Sequence, residues 1–210
     1  MKKLLLLFML IPMTVFCQEY SGNNTFSKVI KAEGKSAQEI RNSIREWVSE
    51  TYNEAGSVID LDSESKTIIK GITPINSYYE EYVVTTKYYT TITCSFKEGR
   101  FKADLTINAY YNTVTKEKEY LNNLLSAMLR DKPISKEEYF NISREGFKKP
   151  QPGFSQKKMI KMGEKLLLKK GDTMYKDYLS SHKSFVNTIS GVFNSIDSKV
   201  NSVAKPEDDW

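Results

Sequence analysis

Side chains able to take part in catalysis are few in this chain of 210 residues, and their spacing does not combine them. The spacing Ser-x-x-Lys, at which a lysine can activate a serine nucleophile, occurs at Ser63, Ser155 and Ser180. The Ser-Asp-Asn and Lys-Thr-Gly motifs that accompany it in acyl-transfer enzymes are missing, so we attribute these matches to chance. His182 is the single histidine, which excludes a zinc site made of several histidines. We therefore predict that the protein is not an enzyme.

The acidic run that begins at Asp60 is the closest approach to a metal-binding motif. Asp60, Asp62 and Glu64 alternate as at the start of a calcium-binding loop, but Ser65 stands where that loop requires glycine. Gly71 occupies the position of the closing glutamate. We predict a solvated turn at this place, with neither a metal nor another cofactor.

A lysine-rich segment is the most function-like feature of the chain. Between residues 148 and 170, eight lysines face one acid, Glu164, which gives a net charge of +7. Met159, Met162, Leu166 and Leu167 give the same segment an apolar side at helical spacing. Such a helix suits an anionic membrane, where each lysine contributes about 1 kcal/mol, an acidic protein patch, or the protein's own core. The candidate membrane or partner surface consists of Lys157, Lys158, Lys161, Lys165, Lys169 and Lys170.

A second helical pattern runs from Thr173 to about Val203. Its apolar and aromatic residues alternate at spacings of three and four, as in a helix that packs along a seam. Gly171 and Asp172 are expected to separate it from the lysine-rich helix. The candidate helix–helix seam, for a protein partner or for self-association, is formed by Tyr175, Tyr178, His182, Phe185, Ile189, Val192 and Ile196.

The elements that would position these surfaces lie earlier in the chain. Ser36 followed by Glu39 forms a capping box and begins a helix with an apolar stripe. Residues 88–96 and 101–109 alternate apolar and polar side chains around a turn, which indicates an antiparallel hairpin with one wet face. We also expect strands at residues 25–33, 57–62 and 67–72, and a helix at residues 116–130. The predicted fold is α+β, an antiparallel twisted sheet with a helix packed on one face, followed by a C-terminal helical segment.

Tyrosines are unusually dense in the middle of the predicted sheet. Because tyrosine favours strands, we expect these side chains to pack across neighbouring strands. The alternative is an exposed aromatic surface that stacks on glycans or peptides. The residues are Tyr78, Tyr79, Tyr82, Tyr88 and Tyr89.

The N-terminus has the pattern of a cleavable signal peptide. Lys2 and Lys3 precede an apolar run that is too short to span a bilayer. Val15 and Cys17 are small enough for cleavage before Gln18, and lipidation of Cys17 is the alternative outcome. We therefore expect a periplasmic or secreted protein, or alternatively an outer-membrane lipoprotein. In either case we do not expect nucleic acid as a partner.

The chain that would remain after cleavage carries a net charge of only +3. That balance is too mild to indicate nucleic-acid binding by itself. Cys94 would then be the single cysteine, and we expect it to be a small buried residue rather than a reactive thiol.

Residues 25–111 resemble a bacterial domain-of-unknown-function family, DUF4468, which has a TATA-binding-protein-like (TBP-like) fold. Four motifs carry the resemblance: a helix ending in Trp-Val, an acid-rich turn, an Ile-x-Gly strand and a Lys-Glu-Gly-Arg-Phe hairpin. The resemblance implies an exported domain with one helix on a sheet, and it implies no activity and no catalytic residues. The predicted plan is a signal peptide at 1–17, a TBP-like domain at 18–146, a linker at 147–156, a helical segment at 157–204 and an acidic tail at 205–210.

These patterns together predict an exported cell-envelope protein that binds rather than catalyses. The first hypothesis is a non-catalytic interaction module that uses its C-terminal helices. The alternative is a peripheral membrane protein, attached through the lysine-rich helix or through a lipid on Cys17. An unrecognised hydrolase is the third hypothesis, and the thin inventory of site residues argues against it.

Overall fold

The computed structural model describes residues 19–20, 24–52, 55–80, 82–112, 117–120, 123–149 and 153–202. The predicted signal peptide with its cleavage site at Cys17 and Gln18 lies outside these residues, and so does the predicted acidic tail at 205–210. In the described part of the chain, no helix is both long enough and apolar enough to cross a membrane.

An antiparallel sheet forms the centre of the fold. Its strands are β1 (Glu19–Tyr20), β2 (Thr25–Lys31), β3 (Ile59–Asp62), β4 (Lys66–Tyr79), β5 (Tyr82–Lys97), β6 (Arg100–Asn112) and β7 (Glu117–Tyr120). Their spatial order is β1-β2-β6-β5-β4-β3, with β7 paired to β6. The order reflects two long hairpins, β4–β5 and β5–β6, in which successive strands pair directly.

The helices are α1 (Ala37–Thr51), α2 (Ala55–Val58), α3 (Asn123–Met128), α4 (Lys136–Phe147) and α5 (Gln156–Asn201). Helix α1 begins at the predicted capping box. The Ser36 hydroxyl accepts from the Glu39 backbone N–H at 3.2 Å, and the Glu39 carboxylate accepts from the Ser36 N–H at 2.8 Å.

The main core lies between one face of the sheet and two helices, α1 and the C-terminal half of α5. Alternation in β5 and β6 directs apolar side chains to this face and threonines and lysines to the other. Cys94 is fully buried here, and burial raises the pKa of its thiol to about 12, so it is an unreactive core residue. The predicted α+β fold, with an antiparallel sheet and a C-terminal helical segment, is confirmed.

Two local predictions are wrong. Residues 116–130 do not form one helix, because Glu117–Tyr120 pairs with Ala109–Asn112 as strand β7 and only Asn123–Met128 is helical. Ladder hydrogen bonds to β6 outweigh the helical spacing of the leucines that follow. The predicted break at Gly171 and Asp172 is absent, since α5 is one continuous helix of 46 residues.

Candidate functional site

The C-terminal half of α5 packs on the protein's own sheet, and part of the predicted seam lies there. Phe185, Ile189 and Ile196 are fully buried in the main core, and Val192 packs against it. The sequence predicted a contact between helices, whereas the structure has a helix on a sheet within one chain. The apolar periodicity is the same in both cases, so spacing alone does not distinguish them.

The remaining seam residues contact the short helices. The Tyr178 hydroxyl accepts from the Ile134 N–H at 2.9 Å, and the Tyr175 hydroxyl donates to the Ile134 carbonyl at 2.9 Å. The Nε2 of His182 lies 3.0 Å from the Arg130 carbonyl. These side chains are therefore engaged inside the molecule rather than at a surface open to a partner.

Helix α4 and residues 156–174 of α5 form an antiparallel pair, which we call the arm. Two aromatic rings of α4 lie directly on glycines of α5. A methyl group at Gly163 would lie 2.1 Å from the Phe147 ring, and one at Gly171 would lie 2.8 Å from the Phe140 ring. Glycine at position 171 therefore makes room for the Phe140 ring, and the helix continues through this residue.

Two acids of the α5 part of the arm form ion pairs with basic residues of α4. Arg144 Nε lies 3.0 Å from Glu164 Oε1, and Lys136 Nζ lies 2.6 Å from Asp172 Oδ1. Because Glu164 is the one acid among residues 156–170, its pairing with α4 leaves the outward side of that stretch to lysines. Positive charge is therefore concentrated on the solvent side of residues 157–170 of the arm.

All six lysines predicted as a candidate surface are exposed on this face. Lys170 contacts the Glu80 carboxylate, and Lys158 Nζ lies 5.2 Å from the centre of the Phe154 ring. Within the described part of the chain, the other five lysines have no carboxylate within 4.0 Å. Their charges are therefore available to an anionic surface.

Apolar side chains are interleaved with the lysines. Leu168 is 88% exposed, Met162 50% and Leu166 40%, whereas Leu167 is buried toward α4. Met162 and Leu166 border an open groove of about 580 Å³, which also contacts Phe147 and several lysines. Met162 and Leu166 are four residues apart and share one side of the helix, whereas Leu168 lies on a different side, next to the lysines. Exposed apolar side chains interleaved with the lysines in this way are the feature that a purely solvated helix face lacks.

The tip of the β4–β5 hairpin lies beside the arm, and the sequence analysis gave an exposed aromatic surface here only as the alternative to cross-strand packing. Tyr79 pairs with Tyr82 around a tight turn, and both are largely exposed, as are Val83 and Val84. The predicted cross-strand packing does apply to Tyr88, which is 1% exposed and has its ring centre 6.4 Å from that of Tyr110 on the neighbouring strand β6. The density of tyrosine was the available signal, but it did not separate the buried ones from the exposed ones.

The serines of the Ser-x-x-Lys matches have structural roles where the structure defines a contact. Ser63 donates to the Lys66 carbonyl at 3.0 Å and stabilises a turn. Ser155 begins α5 as its N-cap, accepting from the Lys158 N–H at 3.4 Å. Neither arrangement brings a lysine amine to the serine hydroxyl, so the geometry supports no acyl-transfer site at these two positions.

The acidic turn is a site of ion pairing. Both carboxylate oxygens of Asp62 accept from Arg41, each at 2.8 Å, and Arg45 lies 3.4 Å away. Asp62 also accepts from the buried hydroxyl of Thr67 at 2.8 Å. The Arg41 hydrogen bonds keep the pKa of Asp62 below its usual range, despite partial burial. Among the described residues, no three His, Cys, Asp or Glu side chains gather where they could hold a metal ion.

Comparison with known proteins identifies the sheet domain. Residues 26–117 match a family model described as a domain of unknown function (DUF4468) with a TBP-like fold. The match covers strands β2 to β6 and helix α1, together with the motifs quoted from the sequence. A comparison with curated proteins found no significant match.

Two crystal structures align with most of the chain. A TBP-like protein from Parabacteroides distasonis ATCC 8503 aligns with a TM-score of 0.52 at 10% identity, covering 88% of this chain and 96% of that one. A DUF4468 family protein from Bacteroides ovatus ATCC 8483 aligns with a TM-score of 0.44 at 19% identity, covering 80% and 91%. At such low identity the first likeness shows a shared fold and nothing about activity.

Proposed function

From the match of residues 26–117 to the DUF4468 family model with its TBP-like fold, we propose that this protein is a non-catalytic, peripheral membrane-binding protein of the bacterial cell envelope. The arm is its binding surface. The partner is an anionic lipid bilayer, which the lysines attract and into whose interface the neighbouring apolar side chains enter.

One observation carries this proposal, namely that the solvent face of residues 157–170 combines unpaired lysines with exposed apolar side chains. Leu168 is 88% exposed between Lys165 and Lys169 in the sequence. A solvated face needs no leucine there, and a core-facing helix would bury it. Lysines interleaved with exposed apolar side chains are a composition that favours helices lying in a membrane interface.

The burial of the seam supports the same choice between the two binding hypotheses. Phe185, Ile189 and Ile196 are fully buried in the protein's own core, so an interaction through them would require the fold to open. The arm needs no rearrangement, because its lysines and apolar residues already face solvent. We therefore favour the membrane surface over self-association through the seam.

The location in the envelope is supported by the sequence. Lys2 and Lys3 followed by a short apolar run form a leader of the secretory kind, and cleavage before Gln18 would release a periplasmic or secreted protein. A protein that reaches the periplasm meets phospholipid surfaces on the way. Mass analysis of the native N-terminus, combined with cell fractionation, tests this part; recovery from the cytosol with residues 1–17 attached would refute it.

Vesicle flotation tests the membrane proposal. The chain from residue 18 should float with vesicles of equal parts phosphatidylglycerol and phosphatidylcholine at low ionic strength, and bind less as salt increases. Replacing Lys161, Lys165 and Lys169 together by glutamine should remove about 3 kcal/mol of binding free energy, roughly a hundredfold in affinity.

A matched control uses three exposed lysines outside the arm. The triple variant with Lys31, Lys87 and Lys97 changed to glutamine has the same net charge as the arm variant, and should bind nearly as well as the unmodified protein. Absence of flotation at low ionic strength would reject the proposal. Equal losses for the two variants would show that net charge, rather than the arm, controls binding.

A further inference from the structure

We infer that the tip of the β4–β5 hairpin is a second membrane-contacting element, whose apolar side chains enter the interface of the same bilayer that the arm binds. This inference rests on the proposed function and adds to it a separate part of the chain. The hairpin tip comprises residues 78–80 and 82–84.

The tip presents a group of exposed apolar side chains on both strands. Tyr82 is 74% exposed, Tyr79 59%, Val83 56% and Val84 38%. Tyr79, Tyr82 and Val84 lie on one face of the hairpin, and Val83 lies on the other, so the apolar side chains surround its end. Single exposed apolar residues are ordinary on protein surfaces, but four at one hairpin end favour an interaction site. Tyrosine is also enriched at membrane–water interfaces, where its ring meets the acyl region and its hydroxyl stays hydrated.

The tip is held in place before any partner arrives. Its backbone N–H groups at Tyr78 and Glu80 point away from β5, and each donates to a side chain of α5. Ser181 Oγ accepts from Tyr78 and Asp177 Oδ2 accepts from Glu80, both at 2.8 Å. Glu80 has a φ of 52°, a left-handed conformation that the tight turn requires. Little conformational entropy is therefore lost at the tip when it binds.

The tip and the arm form one continuous surface. Tyr78 of β4 contacts Ser181 of α5. Two residues further along the chain, Glu80 contacts Asp177 and Lys170, which lie closer to the start of the helix. Strand β4 therefore runs antiparallel to α5, and the end of the hairpin points toward the arm. Leu166, on the exposed apolar strip of the arm, lies one helical turn before Lys170. A surface that contacts the arm at this point therefore meets the tip as well.

Charge and apolar contact are divided between the two parts. Glu80 at the tip carries a negative charge, which an anionic lipid surface repels. The contact of Glu80 with Lys170 offsets this charge. The tip is therefore held by its apolar side chains, and the arm supplies the electrostatic attraction. Removing tip side chains should weaken binding at every salt concentration without changing its salt dependence, whereas removing lysines should reduce that dependence.

The direct test compares two double substitutions in the chain from residue 18. Tyr82→Ser with Val83→Ser removes apolar side chains from the tip, while Val29→Ser with Ile72→Ser removes side chains of similar exposure, 52% and 48%, from the outer face of the sheet. On vesicles of equal parts phosphatidylglycerol and phosphatidylcholine, we expect the affinity of the tip variant to be lower than that of the unmodified protein by a factor of at least about ten. The sheet variant should bind as the unmodified protein does.

A position-specific probe reports insertion independently of affinity. Tyr82→Cys labels selectively with a polarity-sensitive fluorophore, because Cys94 is fully buried and its thiol is unreactive. With these vesicles, the fluorophore at position 82 should shift its emission to the blue and resist quenching by iodide. The same fluorophore on Val29→Cys, on the sheet face, should remain water-exposed.

The outcomes separate the two proposals. If the unmodified protein does not float, both the membrane proposal and this inference are rejected. If it floats and the arm lysines are required, but position 82 stays in water and the tip variant binds normally, only the role of the tip is rejected. A tip variant that binds weakly together with a blue shift at position 82 supports both.

Discussion

At the scale of single residues, His182 is a buried polar side chain of α5 that contacts the chain between α3 and α4. It is 5% exposed, lies 3.0 Å from the Arg130 carbonyl and has its ring centre 6.1 Å from that of Tyr178. Burial lowers the pKa of His182 below its ordinary value of 6.5, and the Arg130 carbonyl and the Asp131 charge oppose that effect. The histidine is therefore held neutral at neutral pH.

This residue should make folding stability depend on pH. The unfolded chain binds a proton at His182 near its ordinary pKa of 6.5, and the folded chain does so only at lower pH. The stabilisation is complete above that value and is lost as the pH falls toward the lowered pKa. Urea unfolding at about pH 7.5 and about pH 5.5 should show a smaller difference for His182→Gln than for the unmodified protein. An equal difference in both proteins would contradict this account.

At the scale of elements, the crossing of α4 and α5 depends on residues without side chains. Phe147 and Phe140 are seven residues apart on α4, and they cover Gly163 and Gly171, which are eight apart on α5. The two contacts align the helices over more than two turns. The close contact of each phenylalanine ring with the backbone of α5, rather than a need for flexibility, explains why glycine occupies both positions.

Replacing Gly163 by alanine should therefore destabilise the arm. Its methyl group would lie 2.1 Å from the Phe147 ring, and the resulting overpacking costs typically about 1–3 kcal/mol. Gly191 lies in the same helix with nothing within 4 Å of an added methyl group, so Gly191→Ala should instead stabilise by up to about 1 kcal/mol. Denaturant unfolding of the two variants measures both changes. Stabilisation by both substitutions would mean that the crossing is looser than described.

Elements were predictable where local pattern and tertiary contact agree. The capping box at Ser36 and the alternating hairpin at residues 88–109 were predicted correctly, because each encodes its structure within a few residues. Residues 117–120 were predicted wrongly, because their pairing partner lies in β6 and leaves no local trace. Gly171 was misinterpreted for a related reason, since the ring that requires it belongs to another helix.

At the scale of the whole molecule, the boundary predicted at residue 146 does not divide the core. Trp47 of α1 donates to Ser195 Oγ of α5 at 2.8 Å, and Lys199 pairs with Glu50 at 2.7 Å. Five α5 side chains are fully buried against the sheet and α1. They are Phe185, Ile189, Phe193, Ile196 and Val200.

The chain shortened to residues 18–146 should therefore not fold alone. Burial of five large apolar side chains contributes on the order of 10 kcal/mol, which is comparable with the net stability of a domain. Amide NMR dispersion of this fragment should be poor, and adding a peptide of residues 175–202 should restore it. The same peptide with Phe185→Ala and Phe193→Ala serves as the control and should not restore it. A well-dispersed spectrum of the fragment alone would contradict the shared core.

The residues of the candidate surface could be predicted from the sequence, whereas the elements that lie next to it could not. All six arm lysines were identified from charge spacing alone, and the structure leaves each exposed. An exposed aromatic surface at the hairpin tip was only the alternative prediction. Its position beside the arm was not predicted, because that relation comes from contacts between residues about 90 positions apart, such as Glu80 with Lys170. Burial of the seam likewise depends on the sheet that covers it, which helical periodicity does not specify.

One continuous helix, α5, serves both the core and the arm. Its described length is 46 residues, which corresponds to about 69 Å at the rise of an α-helix. With no break between its two halves, the angle between the arm and the sheet is set during folding. Any attachment made by the arm would therefore hold the threonine- and lysine-bearing face of the sheet at one fixed orientation relative to the surface that the arm binds.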